Sequence, residues 1–170
     1  MAKVIMVSKV FPAYHPKAGK PTLFPEKIWK ALLDADIDVA DNIYEVGQKL
    51  GNYQYVDEVL MTVDNLEPKL HTIRSGKRWK TGDKASLRIW EDKPYLSKQI
   101  VIAPDVELTV RDIEIDADYP VFIDGKAIDA VKIEYLAKND GLSYIDMVHW
   151  FNKLPFSGQI LCFSKIELPY

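Results

Sequence analysis

Cysteine and histidine are scarce in this sequence, and their scarcity limits the kinds of site that it can hold. Cys162 is the only cysteine, which excludes an intramolecular disulfide and fits a reducing, cytoplasmic location. The three histidines, His15, His71 and His149, lie far apart and show no metal-ligand spacing. We therefore expect neither a metal ion nor another cofactor.

The sequence also lacks long hydrophobic runs and internal repeats. No run approaches the roughly 18 apolar residues that a membrane-spanning helix needs. The apolar start of the chain has no small-residue pattern of a signal-peptide cleavage site. No segment recurs at a fixed period, which argues against a solenoid. With 170 residues, 48% of them hydrophobic, we expect a single soluble domain, residues 1–170, without membrane contact.

Prolines and glycines are spread along the chain, which is typical of many short strands with helices attached. The clearest helix signal begins at Pro25 and places apolar residues on one stripe up to Leu33. Two further amphipathic stretches predict helices at 129–137 and 143–151. Short apolar or alternating segments predict strands near residues 4–7, 70–74, 85–90, 99–103, 108–115, 121–123, 127–128 and 159–166. Together these patterns predict an α+β fold.

Charge is distributed unevenly. Residues 69–98 carry nine basic and three acidic side chains, a net charge of +6, so the rest of the chain carries −9. Residues 36–67 contain eight acids and one lysine and are interpreted as an acidic insertion or cap. A concentration of positive charge attracts a polyanion, although a solvated lysine-rich hairpin would have the same composition. Nucleic acid and an acidic partner protein would both suit the basic segment.

Lys69 and Thr72 are the best candidates for chemistry. A threonine hydroxyl attacks only when a base removes its proton, and a lysine acts as that base only if its pKa is lowered by burial or by a neighbouring cation such as Arg74. In a regular strand Thr72 and Arg74 share a face, whereas Lys69 lies on the other. The pair therefore needs a bend just after Pro68 to meet. The alternative interpretation is a solvated lysine at the start of a strand and an ordinary β-forming threonine.

Three motifs follow one another along the chain. They are Phe11-Pro12-x-Tyr14-His15-Pro16-Lys17-x-Gly19, then Lys69-x-x-Thr72-Ile73-Arg74 with Trp79 and Gly82-Asp83, then Leu136-Ala137-Lys138-Asn139-Asp140-Gly141-Leu142 with Asp146-Met147. In this order they resemble the ASCH domain of the PUA-like group, in its longer phage and bacterial members. The resemblance covers most of the chain except residues 36–67. It implies a PUA-like mixed β-barrel of about six strands with flanking helices.

The resemblance also implies a basic cleft around Lys69 to Arg74 that takes RNA or a modified nucleoside. The side chains expected to contact phosphates or bases are Arg74, Lys77, Arg78, Trp79, Lys80 and Arg88. Trp90 and Tyr95 are further candidates for stacking on a base. A non-catalytic module that binds an acidic protein is an alternative.

Some small members of the family are amidohydrolases that remove the acetyl group from N4-acetylcytidine. Carried over to this chain, Lys69 is the base, Thr72 the nucleophile and Asp140 the acid that protonates the leaving amine. Arg74 holds an anion or the developing oxyanion. Asp140 stands where those enzymes have a glutamate.

The sequence also predicts which aromatic and histidine side chains are buried. Trp29 and Trp150 lie on apolar helical stripes, which predicts core positions, whereas Trp79 is expected to be partly exposed. His71 is predicted to be a hydrogen-bonded residue beneath the cleft rather than a catalyst, and His149 to lie at the surface.

Overall fold

The computed structural model of the protein describes residues 2–51 and 54–170, and only the backbone of residues 54–56. The strands are β1 (Lys3–Met6), β2 (His71–Ser75), β3 (Lys84–Trp90), β4 (Gln99–Glu107), β5 (Thr109–Ile115), β6 (Val121–Ile123), β7 (Lys126–Ala127) and β8 (Phe156–Cys162). The helices are α1 (Phe24–Asp34), α2 (Ala40–Lys49), α3 (Gln54–Thr62), α4 (Ala130–Asn139) and α5 (Tyr144–Trp150), with a 3₁₀ turn at Val63–Asn65. The α+β prediction is confirmed. None of the described helices is long and apolar enough to cross a membrane.

The strands form two separate sheets. The three-stranded sheet has the order β1-β3-β4, with β1 parallel to β3, and the five-stranded antiparallel sheet has the order β2-β8-β5-β6-β7. The chain passes from one sheet to the other at buried Leu108, between β4 and β5, where Leu108 exchanges backbone hydrogen bonds with Gly82 and Asp83. Since the two ladders are not hydrogen-bonded to each other, the described strands do not close into the expected barrel.

Helix α1 confirms the sequence prediction and anchors the three-stranded sheet. Pro25 occupies its first turn, and Ile28, Trp29 and Leu32 are fully buried on one stripe. The Trp29 Nε1–H donates a 2.8 Å hydrogen bond to the backbone oxygen of Ile102 in β4. A large aromatic side chain is thereby buried without leaving its polar atom unpaired.

The acidic segment at residues 36–67 forms α2, α3 and the 3₁₀ turn. It buries Ile43, Val46, Val59 and Val63 in the core cluster, and α2 packs against β4. The charged side chains of α2 lie on its solvent side, as its amphipathic pattern requires. This segment therefore extends the core next to the three-stranded sheet. The sequence pattern at Tyr53 lies outside the described residues.

Strand β8 differs from its predicted bounds because its neighbours decide where it can pair. It lies between β2 and β5, and both ladders end at Cys162, which is paired with His71 on one side and Thr109 on the other. Beyond Cys162 the Phe163 N–H still donates to the Leu70 oxygen, but neither ladder continues among the described residues, so β8 ends four residues before the predicted end at Ile166. At its other end, pairing with Ile115 extends β8 back to Phe156.

Local signals in the second half of the chain were accurate. The Asp124-Gly125 dipeptide, typical of a hairpin, has φ values of 50° and 77° and joins β6 to β7. Helix α5 begins after Ser143, whose hydroxyl accepts a 3.1 Å hydrogen bond from the Asp146 N–H. The turn and the helix cap therefore lie where the sequence predicts them, on either side of α4 and of the Asp140-Gly141 link between α4 and α5.

Candidate active site around Lys69

Lys69 lies two residues before β2 and lines the same cavity as Thr72. The Lys69 N–H donates to the Lys27 oxygen in α1 at 3.0 Å, and the Leu70 N–H donates to the Asn139 oxygen in α4 at 2.8 Å. The Phe163 N–H, directly after β8, donates to the Leu70 oxygen at 2.9 Å, so α1, α4 and the end of β8 together hold the backbone before β2. Lys69 and Thr72 thus line one cavity, although they would lie on opposite faces of a regular strand.

This inner cavity has a volume of about 30 Å³. Lys69, Thr72, Arg74 and Asp140 line it together with apolar residues of which Phe24 is one. The Thr72 side chain is buried, and its hydroxyl has no hydrogen-bond partner among the described residues. The cavity holds a group the size of one or two water molecules, which is far less than a nucleoside.

Lys69 is 2% exposed, an unusual environment for a lysine. Its Nζ donates to Asp140 Oδ1 at 2.8 Å and to the Asp140 backbone oxygen, and it lies 4.2 Å from the centroid of the Phe24 ring. Burial lowers the pKa of Lys69 to about 8; Asp140 opposes this change, and the charges of Arg74 and Lys27 add to it. Lys69 therefore meets the physical requirement for a lysine base at moderately alkaline pH.

Gly141 allows the Lys69 stem to pack directly against the end of α4. Its φ of +79° is a conformation that favours glycine, and a Cβ at this position would lie 3.3 Å from Lys69 Cβ and Cδ and 3.2 Å from the Phe24 ring. The residue that ends the helix thus also fixes the distance between Lys69 and Asp140.

Asp140 is buried between two nitrogen atoms. Its Oδ1 lies 2.8 Å from Lys69 Nζ and 3.4 Å from His71 Nδ1. Burial alone would raise the pKa of Asp140, but Lys69 and His71 outweigh it and hold that pKa below its ordinary value. The carboxylate is therefore ionised at neutral pH, and the resting state holds no Asp140 proton for a leaving group, contrary to the acid role that the resemblance implies.

His71 is fully buried beneath the cavity, in agreement with the sequence prediction. Its Nε2 lies 2.7 Å from the Tyr170 hydroxyl, which also accepts a 2.9 Å hydrogen bond from Asn139 Nδ2. Burial lowers the pKa of His71, so the ring is neutral at neutral pH. No pattern in the sequence connects Tyr170 with this site. His149, as predicted, is exposed.

Arg74 connects the inner cavity to the surface. Its Nη2 donates to the Met6 backbone oxygen, and its Nε is buried with no hydrogen-bond partner among the described residues. Burial lowers the pKa of Arg74, but a guanidinium stays charged in proteins. Arg74 therefore offers an unused donor.

An outer groove of about 320 Å³ adjoins the inner cavity and shares Arg74 and Trp150 with it. Tyr14 and Phe156 form aromatic walls of this groove, and Lys153 adds a positive charge. The Tyr14 hydroxyl donates to the Trp150 backbone oxygen at 3.0 Å, which ties the first motif to α5. The groove has the volume and the lining that are typical of a small-molecule site.

The remaining basic residues predicted to bind nucleic acid do not gather at this site. Lys77 forms a 2.7 Å ion pair with Asp112, and Arg88 donates to Ser86 Oγ and Gln99 Oε1. Arg78 and Lys80 are exposed but line neither the inner cavity nor the outer groove, as far as the described residues show. Of the basic side chains expected to contact nucleic acid, the structure brings only Arg74 to Lys69.

The prediction that Trp79 is partly exposed is wrong. Trp79 is 4% exposed, and the buried side chain of Gln159 holds its backbone by accepting from its N–H at 3.0 Å and donating to its oxygen at 3.1 Å. Its ring is covered by Lys3 and Arg78, at 5.2 and 5.8 Å from the ring centroid. Trp79 therefore has no free face on which a base could stack.

Trp150 corrects a second prediction. Its helical stripe indicates a core residue, but Trp150 is only half-buried and lines both the cavity and the groove. Tyr14 belongs to the first sequence motif, yet nothing in that motif indicates that its ring faces α5. Pairings of this kind come from tertiary packing and have no local signal.

The described residues include no cluster of three His, Cys, Asp or Glu side chains that could hold a metal ion. Comparison with known proteins gives no matching family model, no matching curated protein and no matching solved structure.

Proposed function

We propose that the protein is an ASCH-type amidohydrolase of the PUA-like group, which removes a small acyl group from a nucleoside or a related amide. One observation carries the proposal: a fully buried lysine with a pKa of about 8 lines the same cavity as a threonine hydroxyl that has no partner among the described residues. A base and a nucleophile in one water-poor cavity are the minimum for covalent hydrolysis.

The reaction runs through an acyl-threonine. Neutral Lys69, about one tenth of the total at pH 7, takes the Thr72 proton as Oγ1 forms a bond to the carbonyl carbon of the amide. The unpaired Nε–H of Arg74 is the candidate donor to the resulting oxyanion. When the C–N bond breaks, the Lys69 ammonium gives its proton to the leaving nitrogen. Water then attacks the acyl carbon while Lys69 takes the water proton. The bond between that carbon and Thr72 Oγ1 breaks, the proton returns from Lys69 to Oγ1, and the carboxylic acid leaves.

Asp140 has a supporting part in this proposal. Because its carboxylate is ionised, it stabilises the ammonium that forms on Lys69 and keeps Nζ at a fixed position. The shorter side chain of aspartate suits this part, since Nζ reaches both the carboxylate and the backbone oxygen of the same residue. Lys69 thus carries the proton in both directions.

The division of the site into two spaces supports a substrate with a ring and a small acyl group. The outer groove, with walls formed by Tyr14, Trp150 and Phe156, has room for a nucleoside-sized ring system. The inner cavity, of about 30 Å³, restricts the acyl group to acetyl or smaller, and acetyl requires a slight movement of its lining. Aromatic walls favour a planar ring, because base–aromatic stacking contributes roughly 1 to 3 kcal/mol.

The test is incubation with N4-acetylcytidine and a panel of N-acylated nucleosides and simple amides, with release of the free amine followed over time. We expect turnover by the wild type and by Thr72→Ser, and a loss of at least about a thousandfold in Thr72→Val, which keeps the shape but removes the nucleophile. Thr109→Val on β5 is the matched control and keeps full activity.

Mass spectrometry of the Thr72→Ser variant during turnover adds a direct observation. A serine ester that accumulates would appear as a mass increase of one acyl group on the peptide that contains residue 72. Absence of turnover across the whole panel with the folded wild type removes the proposal, as does a Thr72→Val variant that remains fully active.

A second candidate function, RNA binding, is favoured by one separate observation. Tyr95 is 88% exposed at the tip of the β3–β4 hairpin, its ring lies 5.4 Å from that of Trp90, and Lys93 and Lys98 flank it. Exposed rings among basic residues can stack on unpaired bases. An oligoribonucleotide titration at two salt concentrations tests this: we expect affinity to fall steeply with salt and about tenfold in Tyr95→Ala. An affinity that is the same at both salt concentrations would contradict contact with the phosphates.

A further inference from the structure

A chain of buried polar groups runs away from the inner cavity behind Asp140. It passes from Asp140 Oδ1 to His71 Nδ1 at 3.4 Å, from His71 Nε2 to the Tyr170 hydroxyl at 2.7 Å, and from that hydroxyl to Asn139 Nδ2 at 2.9 Å. His71 is fully buried and Tyr170 is nearly so. His71 Nδ1 makes no hydrogen bond among the described residues, so its approach to Asp140 is electrostatic, whereas the two links through Tyr170 are hydrogen bonds. Buried hydrogen-bonded groups favour one arrangement of protons.

The direction of the protons follows from the partners. The Asn139 amide nitrogen can only donate, so the Tyr170 oxygen accepts from it, and the hydroxyl proton is left to point at His71 Nε2. A neutral imidazole that accepts at Nε2 carries its own proton on Nδ1. That Nδ1–H faces the Asp140 carboxylate, which also favours a proton on this nitrogen. Both ends of the ring thus select the same tautomer.

We infer that Tyr170 is a positioning residue: its hydroxyl fixes the His71 tautomer whose Nδ1–H faces Asp140, and so determines how tightly the Asp140 carboxylate holds Lys69. The effect of Tyr170 on the rate of hydrolysis rests on the proposed function, whereas its effect on the His71 tautomer does not. In the native arrangement the Asp140 carboxylate is hydrogen-bonded to Lys69 at 2.8 Å and is also attracted by the Nδ1–H of His71 at 3.4 Å. When the second donor is lost, more of the carboxylate charge acts on Lys69 and favours its protonated form.

The other titratable and charged groups around this chain remain in place when the hydroxyl is removed. Arg74 and Lys27 act on Lys69 from β2 and α1. Cys162 lies across the sheet from His71, and Arg111 donates to the Tyr170 backbone oxygen rather than to its side chain. A change seen in Tyr170→Phe therefore reports on the hydroxyl alone.

The test compares the wild type with Tyr170→Phe by nitrogen-15 NMR of the histidine rings and by titration of the Lys69 amine. We expect His71 to be protonated on Nδ1 in the wild type and to become a mixture of tautomers in the variant. The titration midpoint of the Lys69 amine, its pKa, should rise in the variant above the native value of about 8. If the protein hydrolyses the amide substrate, the rate at pH 7 falls about three- to tenfold, while the plateau at high pH is kept.

Tyr119→Phe is the matched control, because the Tyr119 hydroxyl is buried but has no hydrogen-bond partner among the described residues. It should leave both the His71 tautomer and the Lys69 midpoint unchanged. If Tyr170→Phe does not fold, Asn139→Ala takes its place: without the amide donor the Tyr170 oxygen is free to accept from His71 Nε2–H, so the tautomers mix and the midpoint rises by a smaller amount.

Two results would overturn the inference. One is a wild-type His71 protonated on Nε2; the other is a folded Tyr170→Phe or Asn139→Ala variant in which neither the tautomer nor the Lys69 midpoint changes. If the wild type hydrolyses none of the amides tested but the tautomer and the midpoint respond as expected, the amidohydrolase proposal fails and the inference about Tyr170 stands. A purely structural contribution of Tyr170 would lower stability without moving the midpoint.

Discussion

At the scale of single residues, Lys69 dominates the behaviour of the site. A buried ammonium is unfavourable unless it is paired, and here one carboxylate and one backbone oxygen compensate it. The compensation is incomplete, because the pKa of Lys69 is lowered to about 8 in spite of Asp140. The folded protein therefore gives up the Lys69 proton more easily than the unfolded chain does.

The stability of the protein should consequently depend on pH through Lys69. The unfolded lysine titrates near 10.5 and the folded one near 8, so between these values the unfolded state binds more protons and stability rises with pH. We expect Lys69 to contribute an increase of about 1 to 2 kcal/mol in the free energy of unfolding between about pH 7.5 and 9.5.

Denaturant unfolding measures this contribution against the double variant Lys69→Met/Asp140→Asn. Other groups, such as the Cys162 thiol, whose pKa burial raises to about 11, titrate in both proteins and cancel in the difference. A difference curve that is flat across this pH range would mean that Lys69 titrates normally.

The buried ion pair of Lys69 and Asp140 leads to a second prediction at the scale of single residues. Lys69→Met alone leaves the Asp140 carboxylate buried without its cation and should cost about 3 to 5 kcal/mol. The double variant Lys69→Met/Asp140→Asn removes both charges and should cost clearly less, as measured by denaturant midpoints at pH 7. Equal losses in the two variants would indicate that Asp140 is compensated by other groups.

At the scale of elements, the link between α4 and α5 sets the geometry around Lys69. Gly141→Ala places a methyl group against Lys69 and Phe24 in a backbone conformation that disfavours side chains. Gly76→Ala is the matched control, since Gly76 also has a positive φ, of +80°, but nothing within 4 Å of the added Cβ. The control isolates the backbone contribution, about 1 kcal/mol.

We expect Gly141→Ala to destabilise the protein by about 1 kcal/mol or more beyond that control, because the packed neighbours must move. Thermal unfolding of the two variants at neutral pH measures the difference. If they lose the same stability, the contact between Gly141 and Lys69 is looser than the distances indicate.

The same scale shows which elements the sequence can predict. Helix α1, the Asp124-Gly125 turn and the Ser143 cap depend on residues close together in the chain, and their patterns were sufficient. The end of β8 depends on where β2 and β5 begin, and the position of the Trp79 backbone depends on Gln159, which is 80 residues away. Such features arise from pairings between distant segments.

The candidate site, too, has features that could be predicted from the sequence and features that could not. Lys69, Thr72, Arg74 and Asp140 share one cavity. Lys69, Thr72 and Arg74 come from one short motif, but Asp140 is 71 residues away from Lys69 and was identified through the family resemblance, not through a local pattern. The aromatic groove and the buried tyrosine behind His71 could not be predicted, since each joins segments that lie far apart in the sequence.

At the scale of the whole molecule, the outer groove, which we propose binds the substrate, is formed by segments that lie far apart in the sequence. Tyr14 comes from the loop after β1, and Trp150 comes from the end of α5. We expect Tyr14→Ala to raise KM about tenfold with kcat changed less than about threefold, because it removes a ring that contacts the substrate away from the reacting bond. Tyr14→Phe keeps the ring and should keep KM; steady-state kinetics of both variants decides the point.

The small volume of the inner cavity has a consequence for selectivity among acyl groups. If the protein is the proposed amidohydrolase, a space of about 30 Å³ lined by Phe24 and Trp150 limits the length of the chain attached to the carbonyl. Formyl and acetyl amides should be cleaved, whereas each further methylene must displace a packed ring, at roughly 1 to 3 kcal/mol. A homologous series of acyl amides should therefore show a sharp fall in kcat/KM after acetyl, and Trp150→Ala should shift that limit towards longer chains.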